Sequence, residues 1–409
     1  MKKQIITLII LILLPMVASA QDAVVIDDIY YILDSDAKTA MVTTNPDKYT
    51  GDVAIPKSVE YGSVTYEVTS IEHHAFYNCT GLTSLYIPKS VTSIGGVAVY
   101  NTTSLASIQV EEGNKFYDSR NCCNAIIRTA SNTLVAGCMN TIIPSNITTI
   151  DKYAFYGCVY LKNATIPNSV TIIREGAFYG CKSLTNINIP YSVTSIEQSA
   201  FGSCKALTSI IIPNSVTSIE EGVFTYCSSL TNVTIGKYVT QIKENAFQSC
   251  TNLTDIFCLA EDVPQLNSRA FNNCSTENIT MHVPAASVDA YKASEQWGRF
   301  KIMAIEDTPK CATPTITNDG GELSFSCDTE DVEFVYDVKF SGANSGKGSK
   351  LQLAPAGTYT LSVYATKPGY MNSDTATQEI VIKGVRGDGN YDGEVDAVDL
   401  TKLIEILLQ

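Results

Sequence analysis

Val193-Thr-Ser-Ile-Glu-Gln-Ser-Ala-Phe-Gly-Ser-Cys-Lys-Ala-Leu-Thr-Ser-Ile-Ile-Ile-Pro-Asn-Ser215 is one copy of a unit that recurs every 23 residues. Val170, Val193, Val216 and Val239 keep that step, as do Phe155, Phe178, Phe201, Phe224 and Phe247. Cys158, Cys181, Cys204, Cys227 and Cys250 keep it too. A fixed period of this length is the signature of a stacked repeat architecture. Earlier copies start at Val68 and at Val91, the latter with Val99 and Thr102 at the Phe and Cys positions. A last copy starts near Val263 and carries Ala270-Phe271-Asn272-Asn273-Cys274, one residue out of step.

Within a unit, Ile210 and Ile212 alternate as one face of a short strand requires, and Pro213 ends it because proline cannot donate to a ladder. Val216 and Ile219 make a second extended contact. The following Glu220-Glu-Gly-Val-Phe-Thr-Tyr-Cys227 reads as a helical or 3₁₀ segment burying Phe224 and Cys227. One such unit cannot bury a core alone; stacked units bury a continuous apolar column. Strands about 4.8 Å apart turn each fixed position into a ladder along that column.

The pattern V-T-x-I-x-x-x-A-F-x-x-C-x-x-L-T-x-I-x-I-P over about residues 68 to 284 resembles the BspA-type leucine-rich repeat. The resemblance implies a right-handed, curved α+β leucine-rich repeat solenoid on a secreted or surface-attached bacterial protein. It also implies adhesion to host matrix proteins and cell–cell contact. The solenoid is expected over 68–306, capped at its N-terminal end by the strand-like runs of 21–67. A helix from the N-cap Ser287 to about Gln296 is expected at the other end, laying Tyr291 and Trp297 over the last repeat. Tyr77, Tyr156 and Tyr179 follow the buried Phe of their units, as exposed contacts or as packing.

Between Glu111 and Pro144 the spacing stretches to 33 residues. The insertion (about 112–143) reads as a β-hairpin turning at Ala130-Ser131 in place of the Ala-Phe-x-x-Cys half of a unit, either as tolerated extra chain or as a binding protrusion. Of the 13 cysteines, Cys79, Cys158, Cys181, Cys204, Cys227, Cys250 and Cys274 share one repeat position and are expected to be reduced core residues, with Cys258 beside them. Cys311 and Cys327 flank a predicted hairpin and could be bridged; Cys123 and Cys138 could be bridged likewise, with Cys122 competing.

Residues 1–20 have the form of a cleaved export signal: Lys2-Lys3, an apolar run from Ile5 to Leu14, and Ala18-Ser19-Ala20 before Gln21. The mature chain is therefore expected to be secreted or at the cell surface, with no membrane span. From 308 to 384 short runs (313–317, 322–327, 332–340, 350–354, 358–366 and 376–383) separated by Gly, Pro, Asn and Ser predict an all-β immunoglobulin or fibronectin III-like sandwich. Its Thr358–Ser373 stretch resembles accessory modules of bacterial secreted glycosidases and adhesins, serving as a spacer.

The tail 385–409 holds the one explicit ligand motif. Asp388, Asn390, Asp392, Asp396 and Asp399 fall at loop positions 1, 3, 5, 9 and 12, with Gly393 at the sharp turn and the Glu394 carbonyl at position 7. So dense a set of oxygen donors suits Ca²⁺. The tail resembles a dockerin-type calcium repeat; one copy is a half-dockerin, which could clamp the C-terminus, self-associate or meet a cohesin-like partner.

The chain has 42 acidic and 28 basic side chains, a net charge of −14, which excludes a general nucleic-acid binder. No nucleophile elbow, phosphate loop or zinc-protease motif occurs. His73, His74 and His282 lack ligand spacing and read as surface side chains. The function expected is non-catalytic binding: adhesion to extracellular proteins or cells through the solenoid. The rival is an accessory, carbohydrate-binding subunit of an extracellular polysaccharide-degrading assembly held by the tail.

Overall fold

The computed structural model describes residues 23–305, 310–319, 322–330, 332–339, 344–347, 350–352, 357–366, 373 and 375–382. The export signal (1–20) and the calcium loop from Asp388 to Asp399 lie outside the described residues.

Two stripes of short parallel strands carry the repeat. On the first, Ser209–Ile212, Asn232–Ile235, Asp255–Cys258 and Thr280–Val283 pair side by side. On the second, Thr149–Ile150, Ile172–Ile173 and Ser195–Ile196 pair in the same sense. Registers such as Ile210↔Val233 and Ile150↔Ile173 set equivalent residues opposite each other, so inward Ile and Val positions align along one core.

The third side is not helical, which corrects the α+β expectation: the repeats are built of strands and turns. Among the described residues the one α-helix is Val288–Ala293. The reason lies in the A-F-x-x-C turn. Gly157, Gly180, Ser203, Tyr226 and Ser249, each just before the cysteine, have left-handed backbones, which break a helix. Their amides and those of the phenylalanines donate to the next repeat instead of four residues back: Phe178 N to Ala200 O at 2.7 Å, Gly180 N to Gly202 O at 2.8 Å.

Phe155, Phe178, Phe201, Phe224, Phe247 and Phe271 stack at 4.9–5.7 Å and within 14° of parallel. The cysteines beside them are buried thiols, as expected, but also donors. Cys181, Cys204, Cys227 and Cys250 each place Sγ 3.2–3.3 Å from the Phe carbonyl of the preceding repeat. An alanine would lose both the packed sulfur and the donor. Burial pushes the Cys204 thiol up to about 12.

The insertion is neither loose chain nor a protrusion. Strands Ala125–Arg128 and Thr133–Gly137 form the hairpin, with the 3₁₀ turn Thr129–Ser131 at its tip, and Thr133–Gly137 pairs in parallel with Thr149–Ile150. It is a septum between two cores. Ala125, Ile127 and Leu134 pack with the later repeats; Ile126, Ala136 and Cys138 pack with the earlier ones. That alternation also explains why Cys123 and Cys138 are separate thiols: they belong to different cores. The hairpin is a repeat with strands and no turn side. Gly137 takes the place beneath Phe155, where an added Cβ would lie 2.2 Å from the ring.

Both ends of the column are covered. Ile29, Tyr31, Leu33, Ala40 and Val42, from the strands Ile29–Asp34 and Thr39–Val42, cover the first repeat with Phe76 and Ile71. At the other end Trp297 is 1% exposed and its Nε1 donates to Pro264 O at 2.7 Å; Tyr291 donates to Ala260 O at 2.9 Å. The helix is shorter than expected, and the Ser287 hydroxyl donates to Glu261 O rather than capping it. His282, expected at the surface, is buried, with Nε2 2.9 Å from Asp255 Oδ1.

After the solenoid, two antiparallel sheets are described. One orders Thr315–Asp319, Glu322–Ser326, Lys350–Gln352; the other orders Asn344–Lys347, Glu333–Lys339, Gly357–Thr366, Ala376–Ile382. Asn344–Lys347 is a strand where the sequence reads as a turn, paired antiparallel with Val335–Val338. Cys327 is a free thiol against Thr329 O at 3.4 Å, so the bridge to Cys311 is not made.

Candidate binding surface on the turn side

The position after the buried Phe shows how the turn side differs along the column. It holds Tyr77, Tyr100, Tyr156 and Tyr179 in the first four turns, then Gly202, Thr225, Gln248 and Asn272. Seven of the eight turns keep the inward Phe and Cys and the other buries Val99 and Thr102 in their places, so the fold does not need tyrosine at this place.

The four tyrosines form one stack. Ring centroids are 5.3 Å apart from Tyr77 to Tyr100, 3.9 Å from Tyr100 to Tyr156 and 5.0 Å from Tyr156 to Tyr179. The Tyr100–Tyr156 step spans 56 residues of chain, and it closes because the hairpin repeat has no turn side to come between them. Tyr153 meets both edge-on, at 5.5 and 5.8 Å, and its hydroxyl donates to Glu175, which Lys152 also holds at 2.8 Å. His74 closes the N-terminal end at 5.2 Å from Tyr77. Gly202 ends the stack: a Cβ there would lie 2.6 Å from the Tyr179 ring, which leans over its backbone.

This packing decides which parts of the rings a ligand could meet. Stacked rings give their faces to one another and leave their edges for other contacts. Burial and the neighbouring Tyr156 hold the Tyr100 hydroxyl protonated far above its ordinary range. Tyr77 is 37% exposed and the other three are half-buried. Sequence singled out Tyr77, Tyr156 and Tyr179; it missed Tyr100, whose unit has lost its Phe and Cys, and Tyr153. The remaining step-by-step position would have found Tyr100.

Among the described residues there is no group of three or more His, Cys, Asp or Glu side chains that could hold a metal. Nor is any described helix long and apolar enough to cross a membrane. The histidines sit apart from carboxylates except for the buried His282–Asp255 pair. Trp297 is sealed inside the cap, so it offers no surface to a sugar. The predicted calcium ligands Asp388, Asn390, Asp392, Glu394, Asp396 and Asp399 are outside the described residues.

No curated protein matches the chain. Among solved structures, the pneumococcal vaccine antigen PcpA is similar over 69% of this chain and 98% of its own, at 15% identity and a TM-score of 0.50. A leucine-rich repeat protein from Eubacterium ventriosum is 25% identical over 55% of this chain and 65% of its own, with a TM-score of 0.46. The T. pallidum leucine-rich repeat protein is also 25% identical, over 55% of this chain and 86% of its own, with a TM-score of 0.32. The family model for the BspA type leucine rich repeat region matches in six copies, over residues 56–134, 136–254 and 221–295. Those segments make up more than half of the chain, which therefore belongs to the BspA-type leucine-rich repeat family.

Proposed function

We propose that this is a non-catalytic, exported binding protein whose solenoid docks on extracellular proteins or on other cells. The observation that carries the reading is the tyrosine stack: the repeat supplies its own control, since Gly202, Thr225, Gln248 and Asn272 occupy the same position in equally well-packed turns. Tyrosine is enriched at protein interfaces because a rigid ring and a hydroxyl give contact area at small entropic cost. With the ring faces already used, edges and hydroxyls favour polypeptide over stacked saccharide. Surface plasmon resonance against a panel of matrix proteins, including fibronectin and fibrinogen, tests it. Tyr100→Ala with Tyr156→Ala is expected to weaken the interaction tenfold or more, as loss of central aromatic anchors does. A panel that gives no binding, or binding equal in the double variant, would overturn the proposal.

The remaining parts fit around that role. A signal over 1–20 would export the chain, a sandwich over 308–384 would act as spacer, and the half-dockerin tail would bind Ca²⁺ through Asp388, Asn390, Asp392, the Glu394 carbonyl, Asp396 and Asp399.

A further inference from the structure

A second surface, on the strand side and apart from the tyrosines, has the makings of a small-molecule site. A shallow groove of about 580 Å³ crosses the last repeats, within the roughly 300–1,000 Å³ usual for ligand sites. Its lining follows Gln241–Glu244 and Gln265–Asn267, with Glu221 beside them; Ile242 is turned into the core, whereas Leu266 is partly exposed.

Once more the repeat is its own control. The second-stripe position before the inward Ile holds Thr149, Ile172, Ser195 and Ser218 in earlier units, and long carboxamides only at Gln241 and Gln265. These two are direct parallel partners, so their side chains start from neighbouring strands about 4.8 Å apart. The step between them is 24 residues rather than 23. Ser218, their predecessor, spends its hydroxyl on Glu220 at 2.7 Å. The side chains of Gln241, Gln265 and Glu221 make no hydrogen bond to another described residue.

The nearby charges are already paired. Lys243 holds Glu220 at 2.5 Å, and Glu244 holds Arg269 at 3.0 Å. The groups left to a ligand are two planar carboxamides, each both donor and acceptor, and the acceptor oxygens of Glu221. Each carboxamide can pair with a hydroxyl, which also gives and takes a hydrogen bond. The partly exposed Leu266 suits the C–H face of a ring. We infer that this groove binds a neutral saccharide through Gln241, Gln265 and Glu221, as a site independent of the tyrosine stack.

The test uses the purified full chain on an array of neutral hexose and N-acetylhexosamine oligosaccharides, followed by isothermal titration with each oligosaccharide retained. Gln241→Ser with Gln265→Ser installs the residue that two earlier repeats carry, so the fold is kept, and an unchanged melting temperature checks this. The double variant is expected to lose about thirtyfold in affinity, as two hydrogen bonds of roughly 1 kcal/mol each imply. Glu221→Gln, which keeps an acceptor, is expected to bind within about threefold of the parent. Binding by Tyr100→Ala/Tyr156→Ala is expected to be unchanged, which separates this site from the protein-docking one. An array without a bound oligosaccharide, equal affinity in the double serine variant, or loss of binding on Glu221→Gln would each overturn the inference.

Discussion

Gly137→Ala tests whether the hairpin is a repeat layer beneath the phenylalanine stack. The new Cβ would lie 2.2, 2.7 and 2.8 Å from Cε1, Cζ and Cδ1 of Phe155. Real contacts of this kind sit near 3.5–4.0 Å, so something must move by more than an ångström. The ring has nowhere to go: Phe155 is 1% exposed and stacks on Phe178 at 4.9 Å. Overpacking of this sort costs about 1–3 kcal/mol, and the upper end is expected because the obstacle is the ring itself. Gly137 does not have a left-handed backbone, so the cost is steric alone. Gly96→Ala is the matched control, since its Cβ would meet only His73 at 3.5 Å. Urea unfolding followed by far-ultraviolet circular dichroism gives both values. Phe155→Leu should be costly in the parent and less so in Gly137→Ala, a coupling of at least about 0.5 kcal/mol. Equal midpoints for the two alanine variants, or strict additivity with Phe155→Leu, would refute the septum.

Four further outcomes follow from the same geometry. Burial raises the pKa of the ladder thiols Cys158, Cys181, Cys204, Cys227 and Cys250, so above the ordinary thiol range the unfolded chain loses protons that the folded chain keeps. Stability is therefore intact below about pH 9 and falls as pH rises beyond it, by about 1.4 kcal/mol per pH unit for each thiol; urea midpoints measured from pH 7 to 10 should show the fall, and Cys204→Ala should make it shallower. In the native protein, iodoacetamide should label the exposed Cys122 first and leave Cys181, Cys204 and Cys227 unlabelled, as read by peptide mass spectrometry. Trp297→Phe should lose about 1 kcal/mol with the Pro264 hydrogen bond, and parental tryptophan emission should be blue-shifted until the column unfolds. Calcium titration of the full chain should show one site lost in Asp388→Ala; no binding, or binding unaffected by that change, would refute the tail assignment.

How far the fold could be read from the chain depends on which contacts are periodic. The inward Val, Ile, Phe and Cys positions repeat at one step, so their ladders and the buried thiols are legible. The turn side is not legible, because an amphipathic eight-residue stretch looks the same whether its amides bond within a helix or to the next layer. The left-handed residues before Cys204 and Cys227 are Ser203 and Tyr226, neither a glycine, so the sequence carries no warning. His282 and the Cys327 thiol were misplaced for a related reason: nothing in the one-dimensional order names what packs against them. Of the candidate surfaces, three of the tyrosines were visible as a row, while the Gln241–Gln265 pair was not singled out.

Repetition by itself determines the architecture here, because a residue fixed every 23 positions can be buried in every unit only if the units stack. What tertiary structure alone decided is where that stacking changes. A 33-residue interval contributes a hairpin without the turn side of a repeat, dividing one apolar column into two cores and bringing Tyr100 onto Tyr156 across 56 residues. Neither consequence is local: each depends on which layer of chain lies above and below, and that is set by packing between segments the sequence holds far apart.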